Sequence, residues 1–271
     1  MKTKFLVSFL AFIITFIIFS GCININVEGY EVKEFYENEY QADNQTILTV
    51  STVNGLINVV SWDEKNISLN ATKRSRYGYE DLDKAKIIVT EINNEITIEI
   101  QHDQPIRSRA VDLEIKIPKN VTVKSATTTN GPITLSKIKG DTILSSINGA
   151  INIEDVDGYI NASSTNGCIN IKNTSGIDDL STTNGGIIAE VLNIIKNIKI
   201  QTINGEISLY INQSLNAEFN ISTINGGIII EDLDISTSET SSKHLRGTIG
   251  SGGNTLEIKT TNGVIKLFKL E

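Results

Sequence analysis

The sequence is poor in the residues that most often carry chemistry. Among 271 residues there are two Cys, two His, one Trp and three Pro. Two Cys exclude a disulfide scaffold and a multi-cysteine zinc module. Two His, His102 and His244, exclude histidine-rich metal sites, and no Gly-x-Ser-x-Gly elbow accompanies them. One Trp leaves no tryptophan-lined sugar cleft, and three Pro leave no proline-rich recognition segment. Positive charge is also short: 24 Lys and Arg face 32 Asp and Glu, a formal net charge of −8. Bulk attraction to nucleic acid or to an anionic surface is therefore excluded. No cofactor motif and no metal-ligand spacing is present.

What is present begins with a leader. Lys2 and Lys4 precede an uncharged apolar run from Phe5 to Phe19, followed by Ser20, Gly21 and Cys22. The run is shorter than a spanning helix needs and ends in small residues, as an export signal does. Phe19-Ser20-Gly21-Cys22 resembles the lipobox of prokaryotic lipoproteins, with Phe19 standing where Leu, Val or Ile is usual. The resemblance implies cleavage after residue 21 and a lipid on Cys22. Losing Lys2 and Lys4 leaves 22 basic against 32 acidic residues, or −10.

The rest is organised by a repeat. Asn-Gly occurs eight times, starting at Asn54, Asn130, Asn148, Asn166, Asn184, Asn204, Asn225 and Asn262. The spacings are 76, 18, 18, 18, 20, 21 and 37, the first and last near multiples of one period. Two residues before every Asn stands Ser or Thr. Four before it stands an apolar residue; three and five after it stand pairs such as Ile151 and Ile153. Alternation with β-branched bias reads as short strands, and helical spacing is absent. A hairpin meander has no reason to hold one residue at one place every 18 residues, whereas stacked coils do. The reading is an all-β, parallel β-solenoid of ~18–21 residues per coil, with Ile, Thr and Asn in ladders. Asn-Gly is expected to turn each corner through positive φ.

The divisions that follow are 1–21, leader; 22–45, tether and first strand; 46–120, irregular β lead-in; 121–271, solenoid repeats. A short helix or loop is expected at Tyr79–Lys84. Thr237–Arg246 reads as a polar insertion, Gly247–Gly253 as a flexible turn. The final strand, Val264–Leu270, carries Lys266 and Lys269, which would blunt an exposed sheet edge.

Thr-Val-Asn-Gly-Leu-Ile-Asn-Val (52–59), Ser-Trp-Asp (61–63), Leu-Glu-Ile-Lys-Ile-Pro (113–118) and the serial Thr-x-Asn-Gly-x-Ile units resemble the putative adhesin family of prokaryotic β-solenoid surface domains. The resemblance spans about residues 46–271. It implies the solenoid fold and an adhesin-like role, and carries no catalytic residues.

Candidate sites are few. Asp155, Asp157, Asp178 and Asp179, and the cluster Glu231, Asp232 and Asp234, read as solvated acidic corners. Calcium-binding rolls carry Gly-Gly-x-Gly-x-Asp repeats, which are absent. The two His read as surface residues, Trp62 as core and Cys168 as a tolerated small residue. The best local ligand candidate is the basic-aromatic stretch Lys73, Arg74, Arg76, Tyr77 and Tyr79: cations for an anion, rings for a sugar face. The expectation is a non-enzymatic, exported, adhesin-like lipoprotein on the outer face of the cell membrane. It is held there by its N-terminal lipid, and its partners are envelope glycans or surface proteins, not nucleic acid. The alternatives are a structural or envelope-stress-sensing lipoprotein with a protein partner, or a surface polysaccharide-active enzyme.

Overall fold

The computed structural model describes residues 31–104 and 108–271. The leader, Cys22 and the tether up to residue 30 lie outside the described residues. Glu31–Glu271 form one compact unit with a continuous apolar core.

The fold is a parallel β-solenoid. The lead-in supplies β1 (Val32–Gln41), β2 (Ile47–Ser51), β3 (Ile57–Trp62), β4 (Asn66–Ser75), the one-turn α1 (Tyr79–Leu82), β5 (Ala85–Ile92), β6 (Glu95–His102) and β7 (Ala110–Pro118). The repeats supply β8 (Thr122–Thr128), β9 (Ile133–Ser136), β10 (Thr142–Ser146), β11 (Ile151–Ser164), β12 (Ile169–Thr182), β13 (Ile187–Val191), β14 (Ile198–Thr202) and β15 (Ile207–Ile211). The chain ends with β16 (Ala217–Thr223), β17 (Ile228–Glu231), β18 (Ser236–Thr240), β19 (His244–Ile249), β20 (Thr255–Thr260) and β21 (Ile265–Lys269).

Each coil places one strand before its Asn-Gly and one after. Like strands pair in parallel, coil on coil: Ile133, Ile151, Ile169, Ile187 and Ile207 form one column, and Ala126, Leu144, Ala162, Leu180 and Ile200 another. Both columns are at most 1% exposed. The long β11 and β12 run through the opposite corner without a break in assignment but with register shifts. There the left-handed residues are Lys137, Asp155 and Asn173, 18 apart.

The Asn-Gly corner works differently from the expectation. Its Asn residues, and every Gly except Gly55, avoid the left-handed region. Glycine is required by approach. A Cβ on Gly131, Gly149, Gly167, Gly185, Gly205, Gly263 or Gly226 would stand 1.8–2.2 Å from the corner-glycine carbonyl oxygen of the neighbouring coil. Around this contact the motif closes its hydrogen bonds. The buried hydroxyls of Thr128, Ser146, Ser164, Thr182, Thr202, Thr260 and Thr223 donate to those same glycine carbonyls at 2.9–3.4 Å. Each motif Asn Nδ2 after Asn54 donates at 2.6–2.8 Å to the Asn Oδ1 of the neighbouring coil on the Asn54 side. Asn54 ends the row on the Arg109 carbonyl at 3.0 Å.

The ladder also gives the order of the coils. Asn225 donates to Asn262, and Asn262 to Asn204. The last coil, β20 and β21, is therefore inserted between the coils of β14–β15 and β16–β17. The stack thus departs from chain order near the C-terminus. The insertion also corrects the reading of the final strand: β21 pairs on both sides, so Lys266 and Lys269 guard no edge. Lys266 instead meets Glu206 at 2.8 Å. The terminal coil is the one carrying β17, whose Ile228 and Ile230 are only half-buried.

Antiparallel strands close the ends. At one end β6 and β7 stack in parallel on β2 and β3, and β5 and β4 cover them, with β1 outside β4. Asn93 and Asn94, both left-handed, make the two-residue turn between β5 and β6. At the other end β19 covers β16 and β18 covers β19. The expected polar insertion is thus an ordered hairpin, and only Gly250–Gly253 of the expected flexible turn lies outside the strands.

The glycine contact predicts a sharp contrast. Gly149→Ala, with backbone 1.8 Å from the new methyl, is expected to destabilise by about 3 kcal/mol, a melting point lower by roughly 6–12 °C. Gly227→Ala meets nothing within 4 Å and is expected to melt with the parent. Equal melting points for the two variants would overturn this account of the motif.

Candidate functional site

Two of the three cations of the expected ligand stretch are already engaged. Lys73 and Arg74 lie on β4. Lys73 Nζ donates to Glu34 at 2.9 Å. Arg74 grips Asp112 through Nε and Nη2 at 2.6 and 3.1 Å and reaches Glu31 at 3.2 Å. The Asp112 hydrogen bond raises the Arg74 pKa. Arg76, Tyr77 and Tyr79 are exposed.

Beneath that stretch lies a network the sequence reading missed. Arg109 is 1% exposed and donates to Asp81 Oδ1 at 2.9 Å and to the Asp103 carbonyl. Ser75 donates to the other Asp81 oxygen at 2.7 Å. This buried pair pins α1, whose Leu82 is fully buried, against the end coil. Nothing in the repeat marks these residues, because they belong to the cap.

The remaining candidates fall into place as follows. Asp155 and Asp157 accept from Asn173 and Ser175 of the next coil at 2.6 and 2.9 Å, and Asp178 meets Lys196 at 2.6 Å. Burial raises the Asp179 pKa. Among the described residues, no three His, Cys, Asp or Glu gather to hold a metal ion. Cys168 is exposed. Trp62 is half-buried at a strand end rather than in the core; its indole donates to the Asn66 carbonyl at 2.9 Å. His244 lies 3.5 Å from Glu239. His102 is not the surface residue expected. Both its ring nitrogens are buried and have no hydrogen-bond partner among the described residues.

The solenoid flank carries the most developed surface. A shallow trough of ≈ 450 Å³ crosses β9, β11, β12, β13 and β15. It occupies the outward positions four and six residues after each Asn of the motif. One end is polar: Asn170 donates to Asn152 at 2.8 Å, and Lys172 stands 3.8 Å from Glu154. The pair leaves one N–H of Asn170, both N–H groups of Asn152 and the Asn170 side-chain oxygen unused. The other end sets Glu190 beside apolar surface, with Ile188 49% exposed and Tyr210 37% exposed. Tyr210 stacks on Phe268 of the inserted coil, ring centroids 5.2 Å apart and planes at 23°. Amides beside an aromatic wall suit an amphipathic ligand that offers hydroxyls on one edge and C–H groups on a face. Tyr210 and Phe268 are 58 residues apart. Each is readable as an outward position of the repeat, but their contact depends on the out-of-order coil.

A family model, Toastrack DUF4097, matches residues 21–267. The chain belongs to the Toastrack DUF4097 family. No curated protein matches the sequence. Solved structures similar to the chain include a "putative adhesin" from Bacteroides fragilis, at 12% identity and TM-score 0.43, covering 86% of this chain and 97% of that one. A "putative cell adhesion protein" from Clostridium sporogenes has 12% identity and TM-score 0.35, covering 89% and 100%. A "putative lipid binding protein" from Parabacteroides distasonis has 12% identity and TM-score 0.32, covering 87% and 96%.

The buried imidazole makes stability depend on pH. Burial holds His102 below its ordinary value of 6.5; the Arg109 charge acts the same way and Asp81 opposes both. The unfolded chain therefore takes up this proton at a higher pH than the folded one. The contribution of neutral His102 is complete above pH 6.5 and is lost as pH falls through that value toward the folded one. Thermal melts at about pH 7.5 and about pH 5.5 are expected to give the lower midpoint in acid, with a smaller gap in His102→Leu. An unchanged gap would assign the acid sensitivity to other groups.

Proposed function

We propose that the chain is an exported, lipid-anchored, non-enzymatic, adhesin-like protein that holds envelope or neighbouring-cell glycan along its solenoid flank. The observation that carries this reading is the trough: a hydrogen-bonded amide pair running into an exposed Ile and a stacked Tyr–Phe wall. Its ligand lies across several coils, so contact is spread over many weak points. Asp155 and Asp157 sit in hydrogen bonds along the stack and Asp178 in an ion pair, rather than around one cleft, which favours binding over glycan cleavage. The lipobox-like Phe19–Cys22 supports the anchor, and export places the flank toward envelope material.

Co-sedimentation of residues 23–271 with envelopes from its own and neighbouring cells tests the reading. Saturable binding, competed by purified envelope glycan, is expected. Tyr210→Ala is expected to weaken it about five- to tenfold, the scale of one lost aromatic contact; Phe35→Ala, on β1, is expected to leave it unchanged. Absence of binding at high protein concentration would sink the adhesin reading. Binding indifferent to Tyr210 would move the site off this flank. In cells, Cys22→Ala is expected to shift the protein from the membrane fraction to the soluble one.

A further inference from the structure

β20 and β21 occupy a slot between two coils that do not pair with each other. On one side lie β14 and β15, on the other β16 and β17. Chain order makes both walls before the segment that joins them. Until residues 255–269 arrive, two parallel edges face an empty slot, and the amide ladder is broken between Asn204 and Asn225. The contacts that fill the slot are made by the segment alone. Asn262 bridges the ladder, the Thr260 hydroxyl meets the Gly205 carbonyl, the Gly263 carbonyl accepts from Thr223, and Phe268 stacks on Tyr210. None depends on which copy supplies the segment.

The connection into the slot is a short glycine-rich loop. β19 and β20 flank β16, so Gly250–Asn254 must cross the end of that strand. Gly250, Gly252 and Gly253 are left-handed, with φ of 59°, 76° and 131°. Ser251 ties the loop to Asn216 Oδ1 through its N–H at 2.8 Å. Straightened, the same residues carry β20 away from its own slot.

We propose that residues 255–271 exchange between copies, so that the partner of this protein is a second copy whose slot they fill. Exchange of a terminal element keeps every native contact except those of the loop. Effective concentration decides between the two closures. A short flexible tether presents a chain's own segment at an effective concentration on the order of millimolar. Dilute chains therefore close on themselves, and chains held at comparable local density link. Linked copies multiply the flank troughs, which raises avidity without any new contact.

Chains beginning at Glu31, the start of the compact unit, and carrying Cys168→Ala test this. One carries Ser208→Cys and the other Lys266→Cys, positions that are direct partners across β15 and β21. Neither can close a disulfide within its own chain. Refolded together at about 1 mM with oxidised glutathione, which is reduced as the two thiols lose their protons and electrons, they are expected to give the mixed disulfide, and at about 1 µM to give little. A second variant lacks Gly250–Gly253. Its single remaining loop residue reaches ~7 Å, short of the two strand spacings, ~9.6 Å, between β19 and β20. It is expected to form dimers or longer chains that melt near the parent temperature. No mixed disulfide at about 1 mM, or a deletion variant that is folded and monomeric, would overturn the proposal.

Discussion

Everything in this fold depends on how closely two glycines approach. At the Asn-Gly corner the carbonyl of one coil sits where the side chain of the next would be. That approach sets the stacking distance, and with it the parallel pairing of both flanks. It also presents a carbonyl oxygen in the interior, which must be hydrogen-bonded. The Ser or Thr two residues before each Asn supplies the donor. The Asn then fixes the lateral register through its neighbour. Three residue types at one corner thus do separate jobs, and the apolar columns on either side pack because the corner has already aligned them.

The periodicity of the sequence carried the solenoid and the ladders of like residues. Two matters were not legible. The first was the reason for the glycines. Asn-Gly is a strong turn signal, so positive φ was the natural expectation, while close approach leaves no separate trace in a sequence. The second was coil order. Thr202-Ile-Asn-Gly, Thr223-Ile-Asn-Gly and Thr260-Thr-Asn-Gly are interchangeable as stacking units. Their order in space was decided by the crossover and the β18–β19 hairpin, which the repeat does not encode.

The site was legible in the same uneven way. The outward positions of the trough follow from the motif, so Asn152, Asn170, Ile188 and Tyr210 could be assigned to one flank. Phe268 could not be set beside Tyr210 without the inserted coil. The basic-aromatic stretch was visible as composition, but Glu34 and Asp112, the carboxylates that occupy Lys73 and Arg74, come from strands distant in sequence. His102 and Arg109 belong to a cap, where tertiary burial outweighs local polarity.

The amide column has a direction. Each of its hydrogen bonds runs the same way, from Asn225 through Asn262 and Asn204 down to Asn54 and the Arg109 carbonyl. Aligned amides, each with a dipole of about 3.5 D, add as peptide units do along a helix. The solenoid therefore has an electrical polarity written in side chains, with its negative pole at Asn225 on the terminal coil. A solvent-facing row of neutral residues gives this acidic protein a preference for cations or hydrogen-bond donors at one end, and an inserted coil keeps the row unbroken.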